Sequence, residues 1–228
     1  TAGEVRSVRE WMSRYILAGI KAPDTENRAV IAGALWQVVA DDLFKNGFLT
    51  IMSKTSIDAL IKKKIDKAIK QTVNEDFWYL EDSKFSPHYH LVTAFMMALY
   101  GDATKQKKYL IISREMTKNI RKITFQNGLI VSDFNHRPVG SGAQTYLMAA
   151  ILSKRFKFPD YSIYLTYSGG NRFFSDKNHP NRLEFHSAIE GSKPIFHDDL
   201  AFVIVAELGI RFLSQNLTYK PTTFSAVF

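Results

Sequence analysis

"YLEDSKFSPHYHLVTAFMMALYG", residues 79–101, decides how the rest of the chain is read. Leu91, Val92, Phe95, Met96 and Leu99 recur at helical spacing. Ser86 suits an N-cap, and Pro87 suits the first helical position, where its missing N–H costs nothing. Gly101 predicts the stop, as the residue that most easily turns left-handed. A helix that needs only an anchor has no use for His88, Tyr89 and His90 crowded into its electropositive first turn. That crowding asks for a function.

Outward from this stretch the helical period repeats. Helices are predicted over Val5 to Gly19, with Val8, Met12, Tyr15 and Ile16 on one face, and over "ENRAVIAGALWQVVADDLFKNG", capped near Asp24 or Thr25 and stopped at Gly47. Others follow from about Thr55 to Thr72, from Tyr109 to Phe125 and from about Ala143 to Phe156, and a last one over "LAFVIVAELGIRFLSQ" behind Asp198 or Asp199. Short connections between them predict an all-α fold of antiparallel helical hairpins, one domain over 1–228. Two stretches break the rhythm. Residues 128–142, "GLIVSDFNHRPVGSG", read as a long loop carrying Asp133, His136 and Arg137. Residues 157–197 read as an irregular insertion in which "YSIYLTYSGGNRFF" predicts a β-hairpin turning at Ser168-Gly169-Gly170-Asn171.

The 228 residues suffice for a substantial core, and 46% hydrophobic with 23% charged residues is the balance of a folded, water-facing domain. No apolar run reaches the roughly 20 residues of a membrane-spanning helix, and no stretch reads as a signal peptide. The absence of cysteine excludes disulfides and thiol chemistry. A net charge of +8 predicts attraction to polyanions: nucleic acid, anionic lipid or acidic polysaccharide. No RNA-binding, zinc-finger or basic-zipper pattern points to nucleic acid. The runs Lys62-Lys63-Lys64 and Lys105, Lys107, Lys108 read as solvated helix faces.

Chemistry centres on the helix start. His88 and His90 lie two apart, about 200° around a helix, so they diverge and make a poor metal pair. No metal site and no cofactor are expected. His179, His186 and His197 read as surface or hydrogen-bonding residues. Tyr89 and His90 differ in kind. A helix N-terminus favours a carboxylate-bearing ligand, tyrosine can give or take a proton, and the same field keeps a nearby histidine neutral. Arg28 and Arg137 could neutralise that carboxylate. Interhelical packing is the plainer reading of the pair.

"ENRAVIAGALWQVVADDLF", followed some 50 residues later by "EDSKFSPHYHLVTAFMMALYG", resembles the α/α toroid of heparinase II/III-like and alginate-lyase-like polysaccharide lyases over about residues 1–156. Such toroids open one inner helix with an Asn-His pair, here Asn27-Arg28, and a later one with a Glu-x-Ser-Pro-x-Tyr-His-like stretch, here Glu81, Ser86-Pro87 and Tyr89-His90. The resemblance implies β-elimination on a uronic-acid-containing glycan by a periplasmic or secreted enzyme. By match it implies Asn27 on the carboxylate and Tyr89 as the acid and also a candidate base, with His90 beside it. Arg137 joins this catalytic set as a cation, and Arg28, His88, His136 and Trp78 are read from the residues as substrate-binding. Arg28 stands where the family has histidine, so the base falls to His88, His90 or His136. A full toroid is longer than this chain, so the expectation is an incomplete toroid: a fragment, a reduced toroid, or a subunit whose toroid a partner chain or a further domain completes. Two other readings stay open: a glycoside hydrolase using Glu81, Asp82 or Asp133, and a non-catalytic acidic-glycan-binding or assembly protein. Trp11, Trp36, Trp78 and Tyr79 are candidate sugar-stacking rings, or core.

Overall fold

The computed structural model describes residues 2–21, 26–81, 84–131, 143–159, 161–165, 173–175 and 183–185. The chain divides into two compact units, Thr1–Ser141 and Gly142–Phe228. Helices dominate: α1 (Ala2–Lys21), α2 (Glu26–Lys45), α3 (Lys54–Thr72), α4 (Pro87–Thr104) and α5 (Lys107–Lys122) in the first unit, α6 (Ala143–Arg155) and α7 (Tyr161–Leu165) in the second. None of the described helices is long and apolar enough to cross a membrane.

In the first unit the helix starts and stops follow local chemistry. Ser53 caps α3 through its hydroxyl, which accepts from the Ser56 N–H at 3.1 Å. Ile57, Ile61, Ile65 and Ala68 then turn one buried stripe inward while the lysines between them stay wet. Gly47, at φ +75°, lets the chain reverse after α2. Between α3 and α4, Val73 bridges Tyr79 and the two-residue strands β1 (Leu80–Glu81) and β2 (Lys84–Phe85) pair antiparallel.

Side-chain pairs set the helix directions. Gln37 donates to Asp58 at 2.9 Å and Lys54 pairs with Asp41 at 2.7 Å, so α2 and α3 run antiparallel. Ser113 donates to the Ala94 carbonyl and His90 reaches Met116, so α4 and α5 run antiparallel. Asp66 meets Lys108 and Tyr109, while Asn119 donates to the Asp76 carbonyl just beyond α3, so α3 and α5 run parallel. With α2 packed on α4, the starts of these two helices share one end of the array. One layer is α2 with α4. The other is α3 with α5.

Three expectations change. Gly101 does not stop α4; Lys105, at φ 58°, does. Gly101 is instead buried where a Cβ would come within 2.9 Å of Leu110 Cγ, so its missing side chain sets the approach of α5 to α4. On α1, Ile16 is buried, but Val8 and Tyr15 are more than half exposed, so the expected face is only partly covered. The proposed hairpin strand at Tyr161–Leu165 is the short helix α7, whose Tyr161 and Tyr164 lie three apart on one face, Tyr164 fully buried. In this unit Lys154 lies over the Tyr161 ring at 5.6 Å, and strands β3 (Phe173–Ser175) and β4 (Leu183–Phe185) pair antiparallel. The turn at 168–171 and the helix expected over 200–215 lie outside the described residues.

Candidate functional site

The first turn of α4 is built differently from a simple capped helix. Ser86 takes the N-cap position with extended backbone (φ −133°), but its hydroxyl makes no capping hydrogen bond. Its carbonyl accepts from the His90 N–H at 2.9 Å, and Pro87 fills the first helical position as expected. The turn is held instead by His90. Its Nδ1 accepts the Tyr79 N–H at 3.1 Å and its Nε2 faces the Met116 carbonyl at 2.8 Å. Since a backbone N–H can only donate and a carbonyl only accept, the ring is neutral with its proton on Nε2. The side chain is fully buried. Trp78 and Phe85 cover it, their ring centroids 5.4 and 5.5 Å from the imidazole and 5.0 Å from each other. Burial drives its pKa down to about 4, against a smaller upward pull from the Met116 carbonyl.

The expected neutral histidine is therefore there, but the cause is desolvation and both ring nitrogens are committed to backbone. His90 ties together the 79–86 segment, α4 and α5. Tyr89, one residue before it, is half-buried, and its ring meets His88 edge-on at 5.4 Å. The turn thus holds one histidine inward and offers His88 and Tyr89 toward the boundary with solvent.

The other candidate residues divide. Arg28, exposed on the first turn of α2, borders an apolar groove between α1 and α2 lined by Trp11, Tyr15, Trp36 and Leu35. Asn27 belongs to the same turn, but only its backbone is described. Because α2 and α4 start at one end, the Asn27-Arg28 turn and the His88-Tyr89 turn share that end. Trp78 is half-buried and spends its ring on His90 and Phe85, and Tyr79 is wholly buried. Trp11 is 62% exposed and stacks on Tyr15 at 5.4 Å. Asp82, Asp133, His136 and Arg137 lie outside the described residues, as does the expected approach of His136 or Arg137 to Tyr89, and of Glu81 only the backbone is described. Among the described residues no group of three His, Asp or Glu side chains comes together to hold a metal ion.

Two arrangements were not read from the sequence. Asn119 donates to the carbonyls of Asp76 and Phe77, securing a turn in which Phe77 adopts φ 63°. Asp66 accepts from Lys62, from Lys108 at 2.8 Å and from the Tyr109 hydroxyl at 2.8 Å. Burial pushes the Asp66 carboxyl up, but the three donors outweigh it and hold it below the ordinary carboxylate range. Burial and the same carboxylate push the Tyr109 phenol far up, so it stays protonated as a donor. No protein-family profile, curated protein or solved structure matches the chain.

Proposed function

We propose that this chain is the helical part of a polysaccharide lyase that cleaves a uronic-acid-containing glycan by β-elimination, with α2 and α4 as inner helices of an α/α toroid and α3 and α5 as outer ones. The observation that carries the reading is the common end at which α2 and α4 begin, each with its N-terminal turn loaded with polar chemistry. The positive ends of the helix dipoles favour an anion there.

In the proposed reaction Asn27 and Arg28, joined by Arg137, draw charge from the substrate carboxylate and so acidify the C5 proton. Tyr89 takes that proton and returns one to the departing O4. The C5–H and C4–O bonds break, and a C4=C5 double bond forms. His90, with both nitrogens engaged, serves as a positioning residue that fixes the turn carrying Tyr89. His88 or His136 stands as an alternative base, since Arg28 occupies the position of the family's histidine.

The test is a panel of acidic polysaccharides read by the ultraviolet absorbance of the 4,5-unsaturated product and by reducing ends together. Tyr89→Phe keeps the ring and removes one oxygen. Turnover should fall roughly 10²–10⁴-fold with the melting temperature unchanged. Unchanged turnover in a folded Tyr89→Phe protein sinks the assignment. Reducing ends without unsaturation favour hydrolysis, and binding without turnover favours the glycan-binding reading.

A further inference from the structure

The basic residues are spread along the chain, but its net positive charge is not. Helix α3 carries six lysines against two aspartates, and α5 carries six cations against one glutamate. Together they hold nine net positive charges, whereas the whole chain holds eight, so everything else sums to one negative charge. Both helices belong to the same layer and run parallel, joined at Asp66.

Their acids are already used. Asp58 pairs with Lys54, Asp66 with Lys62 and Lys108, and Glu115 with Lys118. Lys63, Lys67 and Lys70 on α3, and Lys107, Arg114 and Lys122 on α5, are all exposed and form no ion pair among the described residues. Lys63, Lys67 and Lys70 follow one helix face with a rise of about 10 Å. The α5 cations extend the track over about 22 Å. Crowding is felt locally: burial first, then the charge of Lys67, pushes the Lys64 amine below its ordinary range.

We propose that this α3–α5 face is a docking surface for an acidic polysaccharide chain, separate from the helix starts where Tyr89 lies. The inference rests on the lyase reading for the identity of the polyanion. The composition of the face argues against other polyanions. Within the two helices it offers no exposed aromatic ring on which bases could stack, since α3 has no aromatic residue and the one in α5, Tyr109, is buried; exposed Phe125 lies past the end of α5. Within α3 and α5 a single large apolar side chain, Ile111, is exposed, too little for these helices to enter a bilayer interface. Charge without stacking or insertion suits a chain of carboxylates.

The experiment uses the full 228-residue chain and polygalacturonate as probe, with binding followed by calorimetry across a salt series. Reversing Lys63, Lys67 and Lys70 together to Glu should weaken binding roughly 10–100-fold and flatten its salt dependence. A second variant, Lys107→Glu with Arg114→Glu and Lys122→Glu, should do the same. The corresponding Gln variants, which only neutralise, should lose less. Parent-like binding by both Glu triples overturns the proposal, and the lyase reading survives. Tighter binding of a single-stranded oligonucleotide or of phosphatidylglycerol vesicles than of polygalacturonate also overturns it. Loss of polymer binding in the triples, with no turnover by the parent on any acidic glycan, supports the docking face and sinks the lyase reading.

Discussion

Helices α4 and α5 lie side by side and teach opposite lessons. In α4 the stretch from Thr93 to Gly101 is buried without a break, and its one charged side chain is Asp102. In α5 buried Tyr109, Ile112, Met116 and Ile120 make a single stripe, and seven charged residues occupy the rest. A helix buried on all sides belongs between other helices; one with a single stripe belongs outside. Interior packing fixes α4. On α5 packing and electrostatics are kept apart, on opposite faces.

The largest effect expected from this contrast is on stability. Phe95→Ala in α4 removes a fully buried ring and should cost about 3–5 kcal/mol in urea unfolding. Lys63→Ala on the exposed side of α3 should change stability by less than about 0.5 kcal/mol. Comparable losses at the two sites would break the division into buried and solvated layers.

His90 gives a pH test of the same division. The folded-state pKa near 4 lies below the ordinary 6.5, so between these values the unfolded chain binds a proton that the folded chain refuses. Stability is fully present above about pH 6.5 and falls as pH drops toward 4. The total should be about 3 kcal/mol, at about 1.4 kcal/mol per pH unit. Urea midpoints measured from pH 7 to 4.5 check this, with His90→Gln as the comparison that lacks the titrating ring. Equal slopes in the two proteins would mean that His90 is not sealed in.

The smallest effect separates two serines in the same N-cap position. Ser53→Ala should cost about 1 kcal/mol, because its hydroxyl accepts the Ser56 N–H. Ser86→Ala should stay within about 0.5 kcal/mol, because its hydroxyl caps nothing. Thermal melts of the two variants decide between them.

The two serines also mark how far the sequence could be read. A residue type can announce a helix start, as Ser86 does, but whether the hydroxyl bonds depends on the local backbone and on what else holds the turn. At Ser86 the holding is done by His90, whose partners lie 11 and 26 residues away. Gly101 is similar: a glycine near a helix end reads as a stop, yet here it answers to Leu110 on another helix. Tyr161–Leu165 is a helix where its alternation predicts a strand, because five alternating residues fit a strand or a helical turn equally well.

By itself the sequence determined that five long helices form over the first half of the chain and, for α3, α4 and α5, where their apolar stripes fall; the concentration of net positive charge on α3 and α5 shows only once the limits of those helices are known. Helices and stripes are local properties, written in 3.6-residue periodicity and composition. The tertiary structure alone decided that α3 and α5 share a layer, that α2 and α4 begin at one end, and that His90 faces inward while Tyr89 does not. Those outcomes depend on contacts such as Asp66 with Lys108 and His90 with Met116, made between residues far apart in the chain. No short-range pattern encodes them, because they exist only once helices have packed and buried polar groups have had to find partners.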